Sequence, residues 1–115
     1  WENAETISSG IRVPSALGDF LILDSIKSSN GFAISVTDEE TIEMQKELGE
    51  KDGLLLCPEG AATLAAYKNS LKSGMVSLND RVVLFNTATG LKYPLPAVEA
   101  SIKKEGVDYA VFKSK

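Results

Sequence analysis

The chain contains no histidine and a single cysteine, Cys57. Those two absences exclude a good deal. A Ser-His-Asp or Cys-His arrangement needs an imidazole as general base, and none is present. A structural or catalytic zinc site of the usual type draws on several Cys and His ligands, and these are missing too. One cysteine cannot form an internal disulfide, which is compatible with a reducing cytoplasm. No apolar run approaches the ~20 residues that a bilayer-spanning helix requires. The opening WENAETISSG has neither a basic region nor an apolar one, so it does not read as a secretory signal. There is no Gly-rich phosphate fingerprint and no P-loop. Internal repeats and low-complexity stretches are lacking as well. The surplus of acid over base, 16 against 12, leaves a net charge of −4. That argues against nucleic acid or an anionic membrane as the main partner.

What remains is the composition of an ordinary globular protein, 43% hydrophobic and 24% charged in 115 residues. This length suits one domain or a piece of one, and buries roughly two-thirds of its unfolded surface. The first residue is Trp1 and not Met, which raises the expectation of processing, or of excision from something longer.

Along the chain, apolar helical stretches alternate with short β-branched runs. SALGDFLILDSIKS, Ser15 to Ser28, is apolar on nearly every face and predicts a buried helix after Pro14, stopped by Asn30-Gly31. Phe32 to Val36 predicts a strand. Thr37-Asp38-Glu39-Glu40 has the hydroxyl and the third-position carboxylate of a capping box, and opens a polar helix to about Glu50, ending before Asp52-Gly53. Leu54 to Cys57 predicts a brief strand. Pro58-Glu59-Gly60 leads into AATLAAYKNSLKSG, with Ala61, Leu64, Ala65 and Leu71 on one side. After the turn at Leu78 to Asp80, Arg81 to Phe85 predicts a strand. A helix over Pro96 to Glu105 and a strand over Tyr109 to Phe112 complete the pattern. Strands joined through helices are mostly parallel. The expected fold class is therefore α/β, with three layers and a mostly parallel sheet flanked by helices.

In such sheets, ligands sit outside the carboxyl ends of the strands. Three polar turns fall there: Thr37-Asp38, Pro58-Glu59-Gly60 and Asn86-Thr87-Ala88-Thr89-Gly90. Each also reads as plain structure. The first is a helix cap, the second a helix start with a carboxylate facing the macrodipole, the third a polar turn closing a strand. Gly60 beside Glu59 is one place where a ligand could approach the backbone. Cys57, with no histidine to activate it, reads as a small buried hydrophobe.

CPEGAATLAA (Cys57 to Ala66) followed by RVVLFNTATGLKYP (Arg81 to Pro94) resembles the C-terminal part of the threonine synthase family. ETISSGIRVPSALGDFLIL (Glu5 to Leu23) and AISVTDEE (Ala33 to Glu40) are similar to its neighbouring segments. The resemblance spans Glu5 to Pro94 and treats residues 1–115 as one α/β segment, the C-terminal third of such an enzyme. It implies a pyridoxal-phosphate enzyme of fold type II, the tryptophan-synthase-β type, with this chain in the large domain. The implied reaction is O-phosphohomoserine plus water to threonine plus phosphate, a carbon–oxygen lyase chemistry.

The resemblance also implies roles. Thr87, in the family's T-x-x-G-L-K turn, would approach the pyridine nitrogen of the cofactor. A neutral hydroxyl there would leave the ring nitrogen unprotonated and favour elimination and replacement over transamination. Glu59 would lie at the edge of the cofactor site. The backbone of Ser8, Ser9 and Gly10 would pass close to the ring or the substrate. Ala88 stands where the family has glycine, which disfavours any role needing positive φ there.

The family's Schiff-base lysine, its ring-stacking asparagine and its phosphate-holding loop belong to motifs that this sequence does not contain. None of the ten lysines stands in the S-x-K-x-R-G context. The expectations are thus a chain inactive alone, binding pyridoxal phosphate weakly or not at all. Cutting a parallel sheet would expose an apolar edge and lead to self-association, element swapping or marginal stability. Two other readings stay open. One is a stand-alone ligand-binding or interaction module on the same scaffold. The other is cysteate synthase or another lyase of the same fold.

Overall fold

The computed structural model describes residues 1–97. Three helices and a short 3₁₀ turn make up its regular structure: α1 (Asp19–Ser28), α2 (Asp38–Asp52), α3 (Pro58–Lys72) and the 3₁₀ turn Gly90–Lys92. The helix and strand expected beyond Pro96 lie essentially outside the described residues.

α2 starts where its capping box requires. The Thr37 hydroxyl accepts from the Glu40 amide at 3.2 Å, and the Glu40 carboxylate accepts from the Thr37 amide at 2.8 Å. Two otherwise orphaned donors are satisfied reciprocally. The helix ends at Gly53, whose φ of +66° is a left-handed cap that glycine adopts without steric cost. α3 begins three residues earlier than its apolar pattern suggests, because Pro58 takes the first helical position, where its missing N–H costs nothing.

α2 and α3 pack on each other. Between them Met44, Leu56, Ala61 and Ala65 are buried, with Val36, Leu48 and Leu64 against them. The two alanines of α3 are small enough to bring the helix backbones close. The polar rim closes the pair: Asn69 donates to Glu40 at 2.8 Å, and Lys68 pairs with Glu47. Gln45, itself buried, donates its side-chain amide to the Leu56 carbonyl at 3.0 Å.

Two expectations need correction. The helix predicted over Ser15 to Ser28 forms only from Asp19, and it is not buried. Leu17 is 99% exposed and Phe20 64%, and Leu21, Ile22 and Leu23 are exposed too. An apolar pattern predicts burial, but burial takes a covering surface, and none of the described residues supplies one to α1.

The sheet is the second correction. Among the described residues, Phe32 to Val36 and Arg81 to Phe85 form no ladder, and the one β pairing is an isolated antiparallel bridge between Leu56 and Thr89. β-branched composition marks a segment suited to a sheet, but a strand exists only through hydrogen bonds to a neighbour. Val83 and Phe85 are left 78% and 76% exposed. The mostly parallel, three-layer sheet is therefore not formed by these residues.

Candidate functional site

The residues singled out by sequence gather at the N-terminus of α3. Cys57 is fully buried and caps this helix: its sulfur accepts from the Gly60 amide at 3.3 Å. The thiol also donates to the side-chain oxygen of Asn86 at 3.4 Å and lies 3.7 Å from the Thr87 hydroxyl. The NTATG turn is thereby drawn onto the helix start. Behind it, the Cys57 amide donates to the Ala88 carbonyl at 3.3 Å and the Gly90 amide to the Leu55 carbonyl at 2.9 Å. Ala88 keeps an ordinary negative φ, since the one non-glycine residue with positive φ among those described is Asn30.

Gly60 has a different reason from the one its sequence context suggests. A β-carbon there would collide with the Asn86 side chain and come within 3.3 Å of the Asn86 α-carbon. The space over Gly60 is thus taken by Asn86, not left open to a ligand.

Glu59 turns towards the N-terminal segment. Its Oε1 accepts from the Gly10 amide at 2.6 Å, while Oε2 is enclosed and has no hydrogen-bond partner among the described residues. Burial pushes this carboxyl up. The amides of Gly10 and of Glu59 itself, with Tyr93 and Cys57, outweigh it and hold the group below its ordinary value. The Tyr93 hydroxyl is pushed up by the Glu59 carboxylate first and by burial second. Ser9 stands beside Tyr93 and is exposed, while Ser8 is buried.

A second carboxylate grips the same segment. Asp38, the first residue of α2, accepts from the Thr6 hydroxyl and from the Ile7 amide at 3.1 Å. The stretch from Thr6 to Gly10 is thus held at one end by the start of α2 and at the other by the start of α3.

The structure joins Glu59 to Gly10 directly and places Ser9 beside them. Thr87 reaches the group through Cys57. Sequence reasoning named Asp38 and Asn86 only as members of polar turns and did not single out Tyr93. For Cys57 there was a signal: it stands immediately before a proline in the first helical position, which is where an N-cap belongs. Nothing in the sequence links Tyr93 to Glu59.

Among the described residues no group of three His, Cys, Asp or Glu side chains could hold a metal ion, and no helix is long and apolar enough to cross a membrane. Thr87 and Ser9 are exposed residues, while Glu59 Oε2 is enclosed without a donor.

Comparison with known proteins establishes the family. The chain belongs to the pyridoxal-phosphate dependent enzyme family, whose family model matches residues 1–88. It is similar to the threonine synthase of Methanocaldococcus jannaschii, 40% identical over 101 residues, covering 88% of this chain and 25% of that one. The threonine synthase of Methanosarcina acetivorans is 32% identical over 107 residues, covering 93% of this chain and 26% of that one. A third relative is the chloroplastic threonine synthase 2 of Arabidopsis thaliana, 32% identical over 88 residues, or 76% of this chain and 17% of that one. The chain is thus threonine synthase-like, and it spans about a quarter of the length of the first two of these curated relatives. The family's cofactor is pyridoxal phosphate, and the family is of fold type II.

Proposed function

We propose that this chain is the C-terminal part of a threonine synthase-like enzyme, turning O-phosphohomoserine and water into threonine and phosphate. When bound, pyridoxal phosphate supplies the electron sink for such chemistry. Thr87 would offer its hydroxyl to the ring nitrogen as a neutral partner. Glu59 and the Ser9–Gly10 backbone would form one edge of the site. The observation that carries this reading is the Cys57 thiol set between Asn86 and Thr87, which seats the Thr87 turn on the α3 N-terminus.

The chain by itself is inactive in this reading and binds the cofactor weakly or not at all, because the Schiff-base lysine belongs to another part of the enzyme. The exposed apolar faces of α1 and of residues 82–85 support this over a stand-alone module, which would have closed its core. Those faces, more than an open sheet edge, would drive self-association. A small-molecule substrate suits the net charge of −4 better than nucleic acid or a membrane surface. The single cysteine suits a cytoplasmic setting. Cysteate synthase, or another lyase of this fold, differs from this reading in substrate alone.

Two measurements test the reading. Mixing the chain with pyridoxal phosphate, reducing with borohydride and mapping adducts should show no single lysine labelled above background. Adding the missing part of the enzyme should then restore threonine formation, and Thr87→Ala should depress it. Stoichiometric labelling of one lysine, such as Lys92, would mean a cofactor site of this chain's own.

A further inference from the structure

We infer that Asp38 is a positioning residue: acting through Thr6, it sets the path of the Ser8–Gly10 loop, so that the loop is shaped before a ligand reaches it. The inference rests on the reading of Ser9 and Gly10 as cofactor-side residues.

Asp38 stands in the first turn of α2, yet its side chain takes no part in the capping box. The Thr37 hydroxyl and the Glu40 carboxylate complete that box between themselves. Both oxygens of Asp38 go instead to the N-terminal segment. Oδ1 accepts from the Thr6 hydroxyl, and Oδ2 accepts from the Ile7 amide at 3.1 Å. The same Thr6 oxygen accepts from the Ser8 amide at 3.2 Å. A hydroxyl donates once and accepts as well, so Thr6 passes the hold of Asp38 on to Ser8. Ser8 is 2% exposed, which leaves water little access to this relay.

From Ile7 to Gly10 every amide has an acceptor within the chain. Ile7 donates to Asp38 and Ser8 to Thr6. Ser9 donates to the Ile7 carbonyl at 3.0 Å, and Gly10 to Glu59 Oε1 at 2.6 Å. The Ile11 amide closes the turn on the Ser8 carbonyl at 3.0 Å. Gly10 lies tight against its partner, since a β-carbon there would come within 2.9 Å of Glu59 Oε1. The two carboxylates belong to the starts of α2 and α3, and those helices are locked together by the Gln45–Leu56 bond and by Met44, Ala61 and Ala65. Anchors on packed helices place a loop more closely than anchors on other loops do. Ordering this loop therefore costs a ligand little.

The test measures amide hydrogen exchange by NMR at Ser8 and Gly10 in the full 115-residue chain. Asp38→Asn and Thr6→Val are compared with Glu39→Gln, which removes the same charge from the first turn of α2 one residue further on. Asp38→Asn and Thr6→Val should each speed exchange at both amides about fivefold, as for one modest hydrogen bond lost. Glu39→Gln should leave them within about twofold of wild type, as a surface substitution does. The double variant of Thr6 and Asp38 should exchange no faster than the faster single one, because both act through one relay. Gly10 is the deciding amide, since it touches neither Thr6 nor Asp38 and moves only if the path of the loop does. Unchanged Gly10 exchange in both Asp38→Asn and Thr6→Val overturns the proposal. An equal speeding in Glu39→Gln overturns it too, by assigning the effect to the helix start. No cofactor is present, so failure here is distinct from failure of the cofactor-site reading.

Discussion

The side-chain amide of Gln45 donates to the backbone carbonyl of Leu56 at 3.0 Å, inside the contact between α2 and the approach to α3. Gln45 is 4% exposed and Leu56 9%, so water cannot readily replace either partner. Gln45→Leu should therefore cost about 1–3 kcal/mol by stranding that carbonyl. In urea titrations the midpoint should fall with little change in slope. An unchanged midpoint would mean that the bond adds nothing to the helix pair.

Gly60→Ala tests the seat of Asn86. The new methyl group takes the space that the Asn86 side chain fills, so the turn must lift off α3. Cys57, now fully buried, loses its cover. Its reaction with a thiol reagent should speed up by about tenfold or more, a ratio that corresponds to ~1.4 kcal/mol less closing free energy. Wild-type reactivity in the variant would argue that the turn is held elsewhere.

Acid should loosen the α2–α3 pair. Glu47 is hydrogen-bonded by Lys51, and by Lys68 across the helix contact, which pulls its pKa from 4.5 down to about 2. A folded-state pKa below the unfolded one contributes stability above the unfolded value, and that contribution is lost as pH falls through the folded one. The window is thus from about pH 4.5 down to about 2. Lys68→Met should narrow it, since Lys51 alone would then hold the carboxylate. Thermal unfolding followed against pH in both proteins reads this directly.

The uncovered face of α1 should govern association. Phe20, Leu21 and Ile22 are 64%, 61% and 56% exposed in the first turn of α1. Phe20→Lys with Leu21→Glu should abolish concentration-dependent association in analytical ultracentrifugation, while leaving the α2–α3 helicity unchanged. Association that persists would place the sticky surface at residues 82–85.

Local chemistry was readable from the residues. The Thr37–Glu40 capping box, the left-handed stop at Gly53 and the proline at the start of α3 depend on neighbours three or four positions apart, so sequence alone settles them. The motifs around Cys57 and Thr87 likewise led to the right family. Burial was not readable in the same way. The apolar run of α1 and the β-branched runs at 32–36 and 81–85 state a preference for cover and for strand partners, and neither is a property of the segment itself. The pairings Glu59–Gly10, Asp38–Thr6 and Cys57–Asn86 span 49, 32 and 29 residues. No periodicity reports contacts at such separations. They arise because α2 packs on α3 through small alanines and brings both helix starts to one loop, and that is a decision of the tertiary structure.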